Sequence, residues 1–537
     1  MSLQFITGNS GNGKTKYLFN RIVKEAKANP RDNYLVIVPE QFTMQTQRQL
    51  VDLSENKAIM NIDVLSFKRL AYRVFDELGI TNLTVLEETG KNLVLRKLAA
   101  QEADKLGIIG RNLNRIGYIS EVKSLLSELV QYNISPEELG RYIASGRLSD
   151  TLSDKLKDVL VLYEAFEKFM QDKYITAEEI LNVLCNVAEE SAILRNSVIA
   201  FDEFTGFTPI QNQLIKKLFV ISKKIYVTLT IDCREDIFKS RGMQELFDMP
   251  KRTVKSLTEM AAFYGIEVEE PIILDKNYRL AENEELSFME QQLFRKRRCS
   301  FKKVPKHIHI DCLRDPKQEL TKIARRINEL VRNENLRYRD IAIVTGDVNI
   351  YAGYVREIFD KYNIPYFIDA TQEILFHPFI EFIRSIPDIA AQNFSADAVF
   401  RFLRCGFSEL LDSEIDVLEN YVLACGVRGK SAWDKKWVRL PKHKAGYDIE
   451  LLNQSREYIM ELLKPVYQVF SDKKSTVKDY VLAIYKLIVL LDIPDKLAKK
   501  EQALLDAGDQ TASKEYGQIY KIVMQLFEKY VAVLGDE

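Results

Sequence analysis

The chain has 537 residues, 76 Lys+Arg against 77 Asp+Glu, a formal net charge of −1 and 46% hydrophobic residues. At about 150 residues per domain this length holds roughly three to four domains with several buried cores. The balanced charge excludes a histone-like arm or polybasic coat, so any nucleic-acid contact must come from local patches, and the lack of an apolar run of about 20 residues excludes a membrane span.

Residues 3–7 form a short apolar strand with no basic n-region and apolar h-region around it, so no secretory leader is expected. A Gly-rich turn follows, then a helix over 14–28 and a second buried strand over 34–38 that ends at Pro39, which cannot donate to a sheet ladder. From about 86 to 196 apolar residues recur three and four apart, predicting amphipathic helices over 91–106, 119–131 and 153–173. Ser135-Pro136-Glu137-Glu138 reads as a helix start, with Pro in the first turn and acids at the positive end of the dipole. Strand texture returns over 197–201 and 225–231. From about Lys306 the pattern is strand 308–312, helix 316–332, strand 340–345, helix 349–362 and strand 366–368, a βαβαβ series that predicts a second parallel sheet. Beyond His377 the chain reads as helical to its end.

The six cysteines (Cys185, Cys233, Cys299, Cys312, Cys405, Cys425) form no CxxC pair and there are only four histidines. A structural zinc site or disulfide framework is not expected, and a reducing cytoplasm fits this usage best.

Gly8-Asn9-Ser10-Gly11-Asn12-Gly13-Lys14-Thr15 matches G-x-x-x-x-G-K-[ST] at every fixed position, between a predicted strand and a predicted helix. The glycines let backbone N–H groups approach an anion, and the helix dipole favours phosphate. In such a loop Lys14 reaches the β- and γ-phosphates of ATP and the Thr15 hydroxyl ligates Mg²⁺. An NTPase of this kind also needs an acid at the end of another strand. Val198-Ile199-Ala200-Phe201-Asp202-Glu203 offers Asp202 for the metal and Glu203 to polarise the attacking water. The separation of Lys14 from Asp202 then implies a helical domain spliced into one nucleotide-binding core.

These residues resemble superfamily 1 helicases of the UvrD/RecB type, and more closely the N-terminal half of the AddB (RexB) family, subunits of a heterodimeric ATP-dependent helicase–nuclease that processes double-strand DNA ends. The resemblance rests on the loop above, on Val38-Pro39-Glu40-Gln41-Phe42-Thr43, on Asp202-Glu203-Phe204-Thr205-Gly206-Phe207-Thr208-Pro209, on Val64-Leu65-Ser66-Phe67-Lys68-Arg69-Leu70, which is similar to a segment lying against single-stranded DNA, and on Leu274-Asp275-Lys276-Asn277-Tyr278-Arg279, which makes Arg279 a candidate arginine finger. It implies two RecA-like P-loop α/β domains, the second incomplete, each interrupted by an all-helical insertion. The first would be 1–85 with 191–285, its insertion 86–190, the second 286–375, and its truncated insertion 376–537. It also implies DNA as a ligand, both double-strand ends and a single-stranded hotspot sequence, and an AddA-type partner subunit. The nuclease domain and its four-cysteine iron–sulfur cluster belong to a C-terminal part with no signature here.

Two departures bear on activity. The loop begins at Gly8, leaving no room for the adenine-reading Gln upstream, and in the segment aligned with helicase motif III the phosphate-sensing Gln falls on Glu235 and the base-stacking aromatic on Ser240. A carboxylate cannot donate as an amide does, and Ser forfeits roughly 1–3 kcal/mol per stacked base. The expectation is a motor-like fold that binds DNA and ATP while its partner drives translocation. The alternatives are a self-sufficient superfamily 1 DNA-dependent translocase, favoured by Asp202, Glu203 and Arg279, and a small-molecule P-loop kinase, which the large insertion argues against.

Several segments admit two readings. Arg295-Lys296-Arg297-Arg298 with Lys302, Lys303 and Lys306 is either a backbone-binding patch or a solvated linker. Residues 428–444 place Trp433 and Trp437 among Lys430, Lys435, Lys436, Arg439, Lys442 and Lys444, which suits a single-strand platform or one buried helix face. Phe67 and Tyr72 divide between core and base stacking, and His377 beside Pro378 reads as a turn residue.

Overall fold

Residues 3–7 are mostly apolar, with the buried Gln4 and Thr7 among them, because both faces of that strand are covered, as parallel strands require. In the computed structural model, which describes all residues except 81–84, 109, 111–116, 146–147, 171–173, 177, 296–298, 372, 442–446 and 537, strand β1 (Ser2–Gly8) is buried from its second residue to its last. The other strands are β2 (Tyr34–Ile37), β3 (Ile62–Leu65), β4 (Val85–Leu86), β5 (Ile175–Thr176), β6 (Val198–Phe201), β7 (Lys224–Thr230), β8 (Glu267–Val268) and β9 (Ile272–Leu274). Among the described residues seven of them make one parallel sheet in the order β3-β2-β6-β7-β1-β8, with β9 also on β1. Alternate residues of β1 serve opposite faces. Ile6 packs with Leu18, Phe19 and Ile22 of the helix Lys14–Ala28 and with Leu50 of the helix Thr43–Leu53. Leu3 and Phe5 pack on the other side with the helices Phe67–Leu78, Ile180–Val187, Pro209–Ile221 and Asp248–Phe263.

Strands β4 and β5 pair as Val85↔Ile175 and Leu86↔Thr176, so the chain enters and leaves the helical stretch at one place. Between them run the helices Glu88–Gln101, Tyr118–Gln131, Pro136–Ala144 and Asp150–Met170, which bury Leu95, Leu98, Val122, Leu126, Leu162 and Phe166. Ser135 caps its helix by accepting from Glu138 N at 3.3 Å, with Pro136 in the first turn, as the sequence predicts. The first of these helices stops at Gln101, short of the predicted 106. Gly107 N and Ile108 N are instead satisfied by the buried Asp158 carboxylate at 3.0 and 2.8 Å. Lys91, predicted on a helix, is buried and held by Glu178 at 2.6 Å and Glu88 at 2.9 Å.

The chain divides into two compact units, Met1–His309 and Ile310–Glu537. In the second, the helices Pro316–Asn333 and Val348–Lys361 form as predicted and pack through Leu320, Ala324, Ile327, Ile358 and Phe359. The three strands predicted beside them do not form. Residues 308–312, 340–345 and 366–368 make no ladder, and Ile310, Val344 and Phe367 are 94%, 93% and 89% exposed. A strand is a pairwise structure, and an apolar run without a neighbour has no partner for its N–H and C=O groups except water. The remaining helices, from Pro378–Ala391 to Gln510–Leu534, share one core that includes Phe379, Phe382, Phe402, Tyr421, Trp433, Ile459 and Ile519. No helix among the described residues is long and apolar enough to cross a membrane.

His377 does more than turn the chain. Its Nδ1 accepts from Phe379 N at 3.1 Å and so caps Pro378–Ala391, its ring lies 4.4 Å from that of Tyr516, and its buried Nε2 has no hydrogen-bond partner. Burial pushes its pKa below the ordinary histidine value. The unfolded chain therefore binds the proton more readily, so the stability this ring contributes is present above about pH 6.5 and is lost as pH falls through the folded-state pKa. Melting temperatures between about pH 8 and about pH 5 should fall more steeply for the wild type than for His377→Asn, which keeps a cap without a titrating ring. Parallel curves would refute this.

Candidate functional site

Strand β1 ends at Gly8 and the chain turns through residues 9–13 into the helix Lys14–Ala28. Gly11 and Gly13 have φ of +86° and +79°, which L side chains rarely adopt, and a Cβ on Gly11 would stand 2.8 Å from the Arg279 Cβ. Gly13 is the N-cap, and no side chain caps the helix, so its first amides are open to an anion. Lys14 Nζ donates to Gly8 O at 3.1 Å and Asn9 O at 3.0 Å. Burial lowers its pKa, although Glu203 and Asp202 pull the other way.

The acid predicted at the end of a distant strand lies beside this loop. Strand β7 runs between β6 and β1, so the end of β6 opens onto the same edge of the sheet. Thr15 Oγ1 is 3.3 Å from Asp202 Oδ1 and 3.3 Å from Glu203 Oε1, although 187 residues separate Thr15 from Asp202. Asp202 is 1% exposed, Thr228 Oγ1 donates to the same Oδ1, and its buried Oδ2 has no hydrogen-bond partner. Burial raises its pKa, with the neighbouring Glu203 charge adding to the effect. Glu203 takes a left-handed backbone, φ +64°, which for a non-glycine residue costs of order 1–3 kcal/mol and collects at functional positions.

A cleft of about 690 Å³ runs over these residues, within the range of small-molecule sites. Ser10, Gly11, Gly13, Lys14, Thr15, Asp202, Glu203 and Arg279 line it. The structure thus brings the predicted loop, metal and catalytic candidates to one place, while Asn9 and Asn12 lie buried in the loop. Asn12 Nδ2 donates to Leu274 O at 2.6 Å. An uncapped helix end, a half-buried lysine and an orphaned carboxylate oxygen beside a hydroxyl suit a nucleoside triphosphate with a divalent cation.

Several contacts that build the site escaped the sequence reading, some of them made by residues it had named. Thr228 meets Asp202 only through the β6–β7 register, which no local pattern encodes. Asn277 Nδ2 donates to Ser10 O at 3.0 Å, and Tyr278 N to Gly11 O at 3.0 Å, strapping the 275–280 segment to the loop. Asn9 ties the loop to two further elements, accepting from Cys233 N at 2.9 Å and donating to Glu290 Oε1 at 2.9 Å. Beside it Asp232 is buried. Burial alone would raise its pKa, yet Arg234 and Arg295, the latter 2.9 Å away, hold it well below the carboxylate range.

Other candidates lie elsewhere. Glu235 pairs with Lys251 at 2.7 Å and Ser240 donates to Asp248, and neither lines the cleft. Phe67 is core, 7% exposed and stacked on Phe201 at 5.8 Å, whereas Tyr72 is 38% exposed. Arg295 is engaged by Asp232, Lys303 by Glu284, and Lys296, Arg297 and Arg298 lie outside the described residues. Trp433 and Trp437 are buried, at 0% and 7% exposure, which rules out their rings as a single-strand platform. Their burial does not come from one helix face, because the helix ends at Asp434 and Lys435 is extended.

Comparison with known proteins agrees with the geometry. The model of the family described as ADDB, N-terminal, matches residues 5–290. The chain belongs to the ADDB N-terminal family. It is 38% identical to the B-type ATP-dependent helicase/deoxyribonuclease subunit of Lachnoclostridium phytofermentans, over all of this chain and 47% of that protein. Proteins of the same name from Clostridium acetobutylicum and Clostridioides difficile are each 31% identical, again over all of this chain and 47% of theirs. The chain therefore spans about half the length of the curated ADDB-family relatives it matches.

Proposed function

We propose that this chain is the N-terminal, helicase-like portion of the AddB-type member of a heterodimeric ATP-dependent DNA helicase–nuclease acting on double-strand breaks, and that it binds ATP and DNA. Residues 1–85 with 191–285 make the first RecA-like domain, 86–190 its helical insertion, 286–375 the first part of a second RecA-like domain and 376–537 the helical insertion of that domain. The pair of packed helices and the three exposed apolar segments of the second unit support the latter assignment.

The observation that carries the nucleotide reading is the meeting of Thr15 with Asp202 over a glycine-rich, uncapped helix start. Lys14 holds the β- and γ-phosphates, and Thr15 and Asp202 hold Mg²⁺, the ion that neutralises phosphate charge when bound. Glu203 orients a water, and Arg279, held beside Gly11 where it lines the cleft, reaches the γ-phosphate. Glu235 and Ser240, in place of an amide and an aromatic ring, support a weak motor, with an AddA-type subunit driving translocation. The deoxyribonuclease activity in the relatives' names, with an iron–sulfur cluster, belongs to the half of those proteins outside this span. Scattered free thiols support a cytoplasmic setting.

Calorimetric titration of this chain with a non-hydrolysable ATP analogue should give binding that requires Mg²⁺ in the wild type and loses that requirement in Asp202→Ala. A fluorescent single strand should bind in the same preparation. Nucleotide affinity indifferent to Mg²⁺ in the wild type, or none, would overturn the assignment.

A further inference from the structure

Between residues 428 and 440 stand five cations, Arg428, Lys430, Lys435, Lys436 and Arg439, and one acid, Asp434, in a chain whose net charge is −1. Lys430 is taken up by Asp434 at 2.6 Å. Arg428, Lys435, Lys436 and Arg439 are exposed and, among the described residues, form no ion pair.

The backbone beneath these cations is pinned to the core of the second unit. Trp437 N donates to Asn453 Oδ1 at 2.9 Å, and Asn453 Nδ2 donates back to Trp437 O at 2.9 Å. The buried Arg456 donates to Trp433 O at 2.9 Å, and the Tyr421 hydroxyl to Arg439 O at 2.6 Å. A segment anchored through two indoles and four hydrogen bonds loses little freedom when it binds, so its charges are presented ready-placed.

We propose that this strap is a sequence-independent binding surface for the phosphate backbone of duplex DNA. The inference rests on the reading of the chain as part of a DNA-processing subunit. Single strands are held by stacking unpaired bases on exposed rings, and the two rings here face inward. What faces outward, beside Asp434 in its pair with Lys430 and the exposed Val438 and Leu440, is positive charge, and that recognises phosphates without reading bases.

The test is fluorescence anisotropy of this chain on a blunt duplex of about 30 base pairs across a salt series. Lys435→Ala/Lys436→Ala/Arg439→Ala should bind about tenfold more weakly at about 0.1 M salt, and the slope of log affinity against log salt should shrink by about two to three. A control triple, Lys499→Ala/Lys500→Ala/Lys514→Ala, removes three exposed charges elsewhere in the same unit and should change both by much less. Equal losses in the two triples, or an unchanged slope in the first, would overturn the strap. A larger loss on a single strand of the same length would overturn its assignment to duplex. Failure of the wild-type chain to bind either DNA would instead overturn the DNA reading on which it rests. Because the three side chains face solvent, the melting temperature should stay constant.

Discussion

Lys14→Ala is expected to weaken binding of an ATP analogue by at least about 100-fold while leaving the melting temperature nearly unchanged. A charge-assisted hydrogen bond contributes about 1.5–3 kcal/mol, and a lysine reaching two phosphates makes two of them, so the loss falls in the range of about 3–6 kcal/mol. In the folded chain the same ammonium is held by the Gly8 and Asn9 carbonyls, in surroundings that already disfavour its charge. Removing it therefore costs the fold little, since water can replace it at those two oxygens. Calorimetry beside a thermal melt separates the two effects. A loss of less than tenfold would mean that the triphosphate is not held here, whatever else the cleft binds.

The second large effect is structural. Trp433→Ala should destabilise the second unit by about 3–5 kcal/mol, the usual cost of emptying a fully buried aromatic site. Trp433 is 0% exposed, packs edge-on to Trp437 with ring centroids 5.3 Å apart, and lies 6.5 Å from the ring of Phe400. Denaturant unfolding followed by tryptophan fluorescence, which then reports Trp437 alone, should move to lower midpoint. The nucleotide cleft is built wholly from residues of the first unit and should keep its affinity for the ATP analogue. A shift below about 1 kcal/mol would show that the site collapses without cost.

How far the sequence could be read depended on whether the relevant physics was local. The loop at Gly8–Thr15 was legible because its glycines answer to backbone conformation within a few residues. Asp202 was legible because a buried strand ending in acids has a one-dimensional signature. Thr228 was not, since its hydroxyl matters only where β7 lies beside β6, and neither was the bracing role of Asn9, a residue read as part of the loop whose two partners lie more than 200 residues away. Residues 308–312, 340–345 and 366–368 have the composition of strands, but a ladder depends on neighbours, and composition cannot supply them. In the tryptophan segment the sequence left two readings open, a single-strand platform of rings and cations or one buried helix face. The backbone instead turns the indoles inward and the cations outward, a division that depends on Asn453 and Arg456 of another helix.

The pairing of β1 has a consequence for synthesis. This strand is made well before the strands it pairs with, β7 at Lys224–Thr230, β8 at Glu267–Val268 and β9 at Ile272–Leu274. At about 5–20 residues per second, a ribosome takes on the order of 10–50 s to deliver them. Throughout that interval the nascent chain carries a largely apolar segment with unsatisfied edges, the condition that exposes a growing polypeptide to aggregation.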